Sequence, residues 1–406
     1  MTERVIPARV RAAVVRSVCL FCLSFTSGLP AGANQLKGHP SPYLAMHGQD
    51  PVEWRLWGQE AIGEARRSGK PLFVSSGYFA CYWCHVMQRE SYHDAEVAEL
   101  LNSRFVPVKV DRELLPALDA HLIEFVQRTR GSAGWPLNVF LTPEGYPLLG
   151  VTYLPGDDFK RLLAGLAERW QRDRGELEAL AREAGQAPDE QAAAVPPTPD
   201  AKALMDGVLQ QALATGDELE GGFGRGRRFP MASQMLGLLV LLERLPDERL
   251  RRLLVLTLDQ IASQGLRDHL GGGFFRYTVD PGWRVPHFEK MLYTNALLAE
   301  VYLSAARVLG RPEYRAVAAE TLDFLLAQMS GSEGGFIASL SAVDQDGIEG
   351  GYYLWRDEEL SGLLTPDELH AARLRWGFGG AEQLEHGHHA VLALPVKQVA
   401  RRLINR

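Results

Sequence analysis

Two cysteines three residues apart, at a strand-to-helix transition, are the strongest chemical signal in this sequence. Cys81-Tyr82-Trp83-Cys84 follows the apolar stretch 71–76, which predicts a strand, and a helix is expected to begin near Cys81. The first turn of a helix carries N–H groups and a partial positive charge that stabilise a thiolate. We therefore predict a redox pair, in which Cys81 is the exposed attacking thiol and Cys84 is the buried resolving thiol.

A second motif, an X-Pro bond ahead of a later strand, supports this interpretation. Trp135-Pro136 directly precedes the apolar segment 137–141, and X-Pro is the peptide bond at which the cis form is readily kept. In thioredoxin-like folds a cis-proline at this place faces the disulfide. The combination predicts a thioredoxin-like domain in which Trp83, Trp135 and Pro136 bind the extended backbone of a substrate.

Two other chemistries fit the same cysteines. With His85 they match the C-x-x-C-H pattern of c-type haem attachment, but a haem also needs a distal ligand and a pocket. A metal site from Cys81, Cys84, His85 and His93 is the other alternative, although four ligands on one short helix would crowd a tetrahedron. We expect no metal and no cofactor beyond the Cys81–Cys84 disulfide.

The N-terminus reads as a signal peptide over residues 1–33. A basic start precedes the short apolar run 17–25, and small residues follow at 31–33. Cleavage before Asn34 would remove Cys19 and Cys22 and deliver the chain to the periplasm or the exterior, with no stable membrane span. The alternatives are a cytoplasmic protein with a leader of another kind, or upstream sequence read from a wrong start codon.

The rest of the chain predicts two domains of different class. Residues 34–182 alternate strands and helices, which indicates a small mixed sheet covered by helices. Residues 183–200 are rich in alanine, proline and acids and predict a linker. Residues 201–406 predict helices joined by three Gly-Gly-Phe loops, typical of the helical hairpins of an (α/α) toroid. The net charge of −7 argues against a nucleic-acid partner.

The helical domain carries a possible second chemistry. Glycoside chemistry needs two carboxylates about 5–10 Å apart, and the glycine-rich loops offer several acids: Asp280, Glu289, Asp344, Asp346 and Glu349. His287 and Glu289 stand at an expected loop-to-helix junction, where they could line a substrate-binding pocket. The alternative is that both side chains only cap or brace the helix.

Long motifs give the chain a family resemblance. They are Ser41-Pro-Tyr-Leu44, Asp50-Pro-Val-Glu-Trp54, the segment Cys81–Met87, Val108-Lys-Val-Asp-Arg-Glu113, the segment Gly134–Pro143, and the segment Val285–Tyr293. Together they resemble the spermatogenesis-associated protein 20-like thioredoxin-domain family. That resemblance implies a thioredoxin-like domain followed by a toroid of the six-hairpin glycosidase-like type.

The sequence departs from the family pattern in the helical domain. Phe275 stands where a histidine is frequent, Thr294 where an aspartate is frequent, and Ser341 where a carboxylate is frequent. The domain is also short, so we expect an incomplete ring. The function expected first is therefore a thiol–disulfide oxidoreductase acting on protein thiols or disulfides. The alternatives are a carbohydrate-binding or carbohydrate-active toroid with an accessory thioredoxin domain, and an interaction module without redox activity.

Overall fold

The computed structural model describes residues 34–185, 200–379 and 384–405. The predicted signal peptide and most of the predicted linker lie outside the described residues. The chain forms two compact units. Within the described residues, the first unit contains residues 34–76 and 87–185, and the second contains residues 77–86 and the residues from 200 onward.

The first unit alternates strands and helices. Its elements in chain order are α1 (Pro42–Met46), β1 (Arg55–Leu56), α2 (Gln59–Ser68), β2 (Leu72–Gly77), α3 (Tyr82–Met87), α4 (Ala95–Arg104), β3 (Val106–Asp111), α5 (Pro116–Arg130), β4 (Leu137–Leu141), β5 (Pro147–Val151) and α6 (Gly156–Gly185). Strand β2 ends, and helix α3 begins, in residues that belong to the second unit.

The strands form a five-stranded mixed sheet in the order β1-β3-β2-β4-β5. β1 is parallel to β3, whereas β4 is antiparallel to both β2 and β5. The three central strands are buried along their whole length, which explains why β2 and β4 carry apolar residues on both faces. Asp94 caps α4 as expected, because its carboxylate accepts from the N–H groups of Glu96 and Val97 at 2.9 and 3.0 Å.

A buried lysine lies at the centre of this unit. Lys109 on β3 is 1% exposed, and its Nζ donates to Ser75 Oγ at 3.0 Å. The same Nζ lies 4.4 Å from the ring centre of Tyr92 and 5.0 Å from that of Trp54. Burial lowers the pKa of Lys109 to about 7, with the charge of Asp50 acting in the opposite direction.

The second unit is mainly helical. Its helices are α7 (Ala201–Thr215), α8 (Ala232–Arg244), α9 (Glu248–Ser263), α10 (Leu292–Val308), α11 (Tyr314–Gln328), α12 (Asp357–Leu363), α13 (Pro366–Trp376) and α14 (Val396–Ile404). Helix α10 packs against α11 and α8 around an apolar core. Among the described residues, no helix is both long enough and apolar enough to cross a membrane.

Two pairs of very short strands include three strands directly before α10 and one strand after α11. β6 (Tyr277–Thr278) pairs with β7 (Pro286–His287), and β8 (Lys290–Met291) pairs with β9 (Ser339–Leu340), both antiparallel. The loop-to-helix junction expected at His287 and Glu289 therefore lies later in the chain, and α10 begins at Leu292. The loops between the helices therefore build a small platform that holds His287 and Glu289 in extended backbone.

Candidate active site

The two cysteines of the C-x-x-C motif are joined in a disulfide. The Cys84 N–H donates to Cys81 Sγ at 3.1 Å, and the carbonyl of Cys81 accepts from the N–H groups of Cys84 and His85. Helix α3 begins at Tyr82, so Cys81 precedes its first turn, as the sequence predicted. An N–H directed at Cys81 Sγ can stabilise a thiolate at that sulfur.

Both cysteines are buried. Cys81 is 2% exposed and Cys84 is 1% exposed, whereas Trp83 between them is 42% exposed. The expectation that Cys81 is an exposed thiol is therefore wrong for this conformation. The physical reason lies in residues 77–86, called here the redox segment, because side chains of the helical unit hold this segment on both sides of Cys81.

The firmest contact of the redox segment is a buried ionic cluster. The hydroxyl of Tyr78 donates to Glu289 Oε2 at 2.6 Å, and Arg276 Nη1 reaches the same carboxylate oxygen at 3.0 Å. Arg276 Nη1 also donates to the Tyr78 hydroxyl. Burial alone would raise the pKa of Glu289, but His287 and Arg276 outweigh it and lower that pKa. Glu289 is thus an anionic anchor for Tyr78.

Two further contacts flank the disulfide. The Ala342 N–H donates to the carbonyl of Ala80 at 3.4 Å, and the ring of Tyr82 meets the ring of His287 edge-on at 6.0 Å. The redox segment is therefore held at Tyr78, Ala80 and Tyr82, which are every second residue around Cys81. This spacing fixes the backbone of the redox segment immediately before and after the attacking sulfur.

His287 lies between two carboxylates. Its Nε2 is 3.1 Å from Glu289 Oε1 and its Nδ1 is 2.5 Å from Glu349 Oε1. Burial alone would lower the pKa of His287, but the hydrogen bonds to both carboxylates raise it to about 9. His287 is consequently a buried imidazolium at neutral pH. Neither His287 nor Glu289 caps α10, whose N-cap residue Met291 makes no side-chain cap bond.

A cavity of about 560 Å³ brings Trp83 and His287 together. Tyr82, Tyr277 and Glu349 line it as well. Glu289, expected to bind substrate, lies outside this lining because its oxygens are already engaged by Tyr78, Arg276 and His287. The side chains that present a carboxylate to the cavity are Glu349 and Glu385.

Trp135 and Pro136 belong to the first unit. Their peptide bond is cis, as predicted. The indole Nε1 of Trp135 donates to Asp119 Oδ1 at 3.0 Å, and the guanidinium of Arg112 lies 4.2 Å from the centre of the indole ring system. These contacts fix the indole at the start of β4.

The metal alternative finds no support in the described parts of the chain. They contain no group of three or more His, Cys, Asp or Glu side chains able to hold a metal ion. The cysteine sulfurs are bonded to each other. His85 Nε2 is 2.7 Å from the carbonyl of Phe79, and His93 Nε2 is 3.2 Å from Asp50 Oδ1.

Sequence reasoning missed Tyr78 and Arg276. Both are 198 or more residues from a partner in the cluster, so no local pattern pairs them. The nearest available signal was the position of Tyr78, a polar aromatic residue directly after a buried strand. Glu349 was named as one acid among several, without a partner.

The comparisons with known proteins agree with the motifs. Residues 33–187 match a family model described as a thioredoxin-like protein of unknown function, DUF255. Human spermatogenesis-associated protein 20 is 38% identical over 362 residues, which are 83% of this chain and 45% of the human protein. The chain therefore spans about half the length of this curated relative.

Two solved structures show partial similarity to the chain. A DsbH oxidoreductase matches 29% of this chain and 85% of its own, with 19% identity and a TM-score of 0.24. The cellobiose 2-epimerase from Spirochaeta thermophila matches 34% of this chain and 40% of its own, with 18% identity and a TM-score of 0.30. Of the expected fold class, a thioredoxin-like domain followed by a mainly helical unit is confirmed. The chain is thus a homologue of spermatogenesis-associated protein 20 over most of its length and carries a thioredoxin-like domain of the DUF255 family.

Proposed function

We propose that this protein is a thiol–disulfide oxidoreductase that uses Cys81 and Cys84. The observation that carries the proposal is the Cys81–Cys84 disulfide at the start of α3, with the Cys84 N–H directed at Cys81 Sγ. A thiolate at Cys81 would receive this hydrogen bond and would lie at the positive end of the helix. Among the residues that the structure describes, these are the only cysteines.

The chemistry needs only the two cysteines and a substrate disulfide. In the dithiol form, the Cys81 thiolate attacks one sulfur of the substrate, which forms a mixed disulfide and releases the first substrate thiolate. The Cys84 thiolate then attacks Cys81 Sγ, which closes the Cys81–Cys84 disulfide and releases the second substrate thiolate. The substrate gains two electrons and the protein loses two. Run in reverse, the same steps oxidise a dithiol.

Substrate binding and cellular location complete the proposal. We assign Trp83, Trp135 and Pro136 to binding the backbone of a thiol- or disulfide-containing substrate, and the periplasm or the exterior as the location. The support for Trp135 is its fixed position, since Asp119 and Arg112 hold its indole. N-terminal sequencing of the mature protein would test export: a mature chain that starts near Met1 would refute it.

The redox role is tested with cysteine variants. The reduced protein is mixed with insulin and, separately, with bis(hydroxyethyl) disulfide, and thiol release is followed. Cys81→Ser is expected to abolish release, while Cys84→Ser is expected to trap a mixed disulfide that mass spectrometry detects. In the uncleaved chain, Cys19→Ser/Cys22→Ser is the matched control, because this pair has the same spacing. Wild-type rates in Cys81→Ser would refute the function.

Carbohydrate binding by the helical unit is the second candidate. The observation in its favour is the cavity whose aromatic side chains, Tyr82, Trp83 and Tyr277, lie beside the carboxylate of Glu349. A hydrolytic role for Glu289 is disfavoured, because a general acid needs a raised pKa and the pKa of Glu289 is lowered. A glycan screen of wild type and Glu349→Gln tests this candidate: binding lost in the variant would support it.

A further inference from the structure

The cavity beside the redox segment carries charges of both signs. His287 and Glu349 form an ion pair in its wall. Arg227 and Glu385 also line it, and both are exposed. With His287 held between two carboxylates, the charged groups that remain for a ligand are the guanidinium of Arg227 and the carboxylates of Glu349 and Glu385, beside the exposed imidazole of His386. Such a wall matches a ligand that has both a cationic and an anionic group.

The size and the aromatic walls of this cavity suit a small molecule. Its volume of about 560 Å³ falls within the range of roughly 300–1,000 Å³ found for small-ligand sites. Tyr82, Trp83 and Tyr277 provide apolar surface for the carbon skeleton of such a ligand. Tyr82 and Trp83 are the two residues that separate the cysteines, so a ligand held there lies against the redox segment.

The burial of the cysteines limits the substrates independently of this cavity. Cys81 and Cys84 are 2% and 1% exposed, and the backbone on both sides of Cys81 is fixed through Tyr78, Ala80 and Tyr82. Disulfide exchange requires the attacking sulfur to meet a substrate sulfur directly. A rigid folded protein cannot bring a disulfide to such a site, whereas a small flexible molecule needs only a narrow opening.

We propose that the cavity of the helical unit binds a low-molecular-weight disulfide carrying an ammonium and a carboxylate group, of the amino-acid or short-peptide type, as substrate of the Cys81–Cys84 pair. This inference rests on the proposed redox function and names the substrate class for it. Glu349 and Glu385 bind the ammonium group, Arg227 binds the carboxylate, and Trp83 packs on the carbon chain. The dithiol protein and one such disulfide give the disulfide protein and two small thiols, so that atoms and electrons balance.

The test is a set of disulfides of similar size and different charge. Cystine carries both groups, cystamine only ammonium, dithiodipropionate only carboxylate, and bis(hydroxyethyl) disulfide neither. Single-turnover rates of the reduced full chain are divided by the rates of the same disulfides with dithiothreitol, which removes intrinsic reactivity. We expect the corrected rate for cystine to exceed that for bis(hydroxyethyl) disulfide at least tenfold, and insulin to be reduced more slowly than cystine.

Variants connect this preference to the cavity. Glu349→Gln should lower the ratio of cystine to dithiodipropionate rates about tenfold, and Arg227→Gln should lower the ratio of cystine to cystamine rates to a similar extent. Each ratio is measured within one variant, so a loss of folded protein does not imitate the effect. Glu333→Gln and Arg315→Gln remove exposed charges outside the cavity and should keep the wild-type ratios.

The outcomes separate the substrate class from the redox function. Corrected rates that are equal for the four disulfides, or a preference for insulin, would overturn the substrate class while leaving the oxidoreductase in place. Unchanged ratios in Glu349→Gln and Arg227→Gln would remove the cavity from the mechanism. If the wild-type dithiol reduces neither insulin nor any of the four disulfides, the redox function itself fails.

Discussion

The buried imidazolium of His287 makes the stability of the helical unit depend on pH. Its pKa is raised from 6.5 to about 9 by the hydrogen bonds of Glu289 and Glu349, which overcome burial. A group whose folded pKa is raised stabilises the fold fully below its unfolded pKa and loses this contribution as the pH rises through its folded pKa. Here the loss falls between pH 6.5 and just above 9. A shift of this size corresponds to about 3 kcal/mol.

Calorimetry of wild type and His287→Asn at pH 6.5 and 9.5 measures this loss. For a unit of this size, about 3 kcal/mol corresponds to a change of roughly 6–12 °C in the melting temperature. From pH 6.5 to pH 9.5, we expect the melting temperature of the wild-type helical unit to fall by roughly 6–12 °C more than the melting temperature of His287→Asn. His269→Asn is the matched control, because burial lowers the pKa of His269 to about 4, outside this range. Equal pH dependence in wild type and His287→Asn would refute the reasoning.

Three further outcomes follow from single side chains. Burial lowers the pKa of Lys109 to about 7, so the protonated lysine destabilises the folded wild type at low pH. This destabilisation decreases as the pH rises from 7 to 10.5. Lys109→Met should therefore raise the calorimetric melting temperature more at pH 6 than at pH 10, and the reverse order would contradict this. Asp94→Ala should lose about 1 kcal/mol of unfolding free energy in urea titrations and Asp94→Asn much less, so equal losses would argue against a capping role. Gly350→Ala should destabilise by about 2 kcal/mol or more, because φ is +74° and the new Cβ would lie 2.6 Å from the Phe288 ring. Gly334→Ala, at φ +86° with nothing within 4 Å, measures the loss of stability that comes from backbone strain alone. An equal loss in both variants would show that the contact with Phe288 contributes nothing.

The parts of the fold that the sequence predicted best are those with strong local signals. Strands β2 and β4 lie within one residue of the expected segments 71–76 and 137–141, because their apolar residues stand in short runs bounded by turn residues. The cap at Asp94 and the ends of α13 were likewise readable from cap residues and from a proline in the first turn. Strands of two residues, such as β7 and β8, are too short to carry a periodic pattern, and they displaced the start of α10.

The candidate site likewise has features that the sequence predicts and features that it does not. The pairing of Cys81 with Cys84 follows from their spacing, since three residues of helix bring the sulfurs together. The burial of Cys81 does not, because it depends on partners such as Glu289, which is 211 residues from Tyr78. Contacts over such separations arise from tertiary packing, and no local pattern encodes them. The raised pKa of His287 cannot be predicted from the sequence for the same reason, because Glu349 lies on another loop.

The discontinuous make-up of the helical unit has a consequence for synthesis on the ribosome. The redox segment is translated about 200 residues before Arg276 and Glu289, two of the residues that hold it. At roughly 5–20 residues per second, Cys81 and Cys84 emerge and remain uncovered for on the order of 10–40 s. During that interval the nascent cysteines are open to oxidants and to other thiols, and the arrival of the second half of the chain ends this exposure.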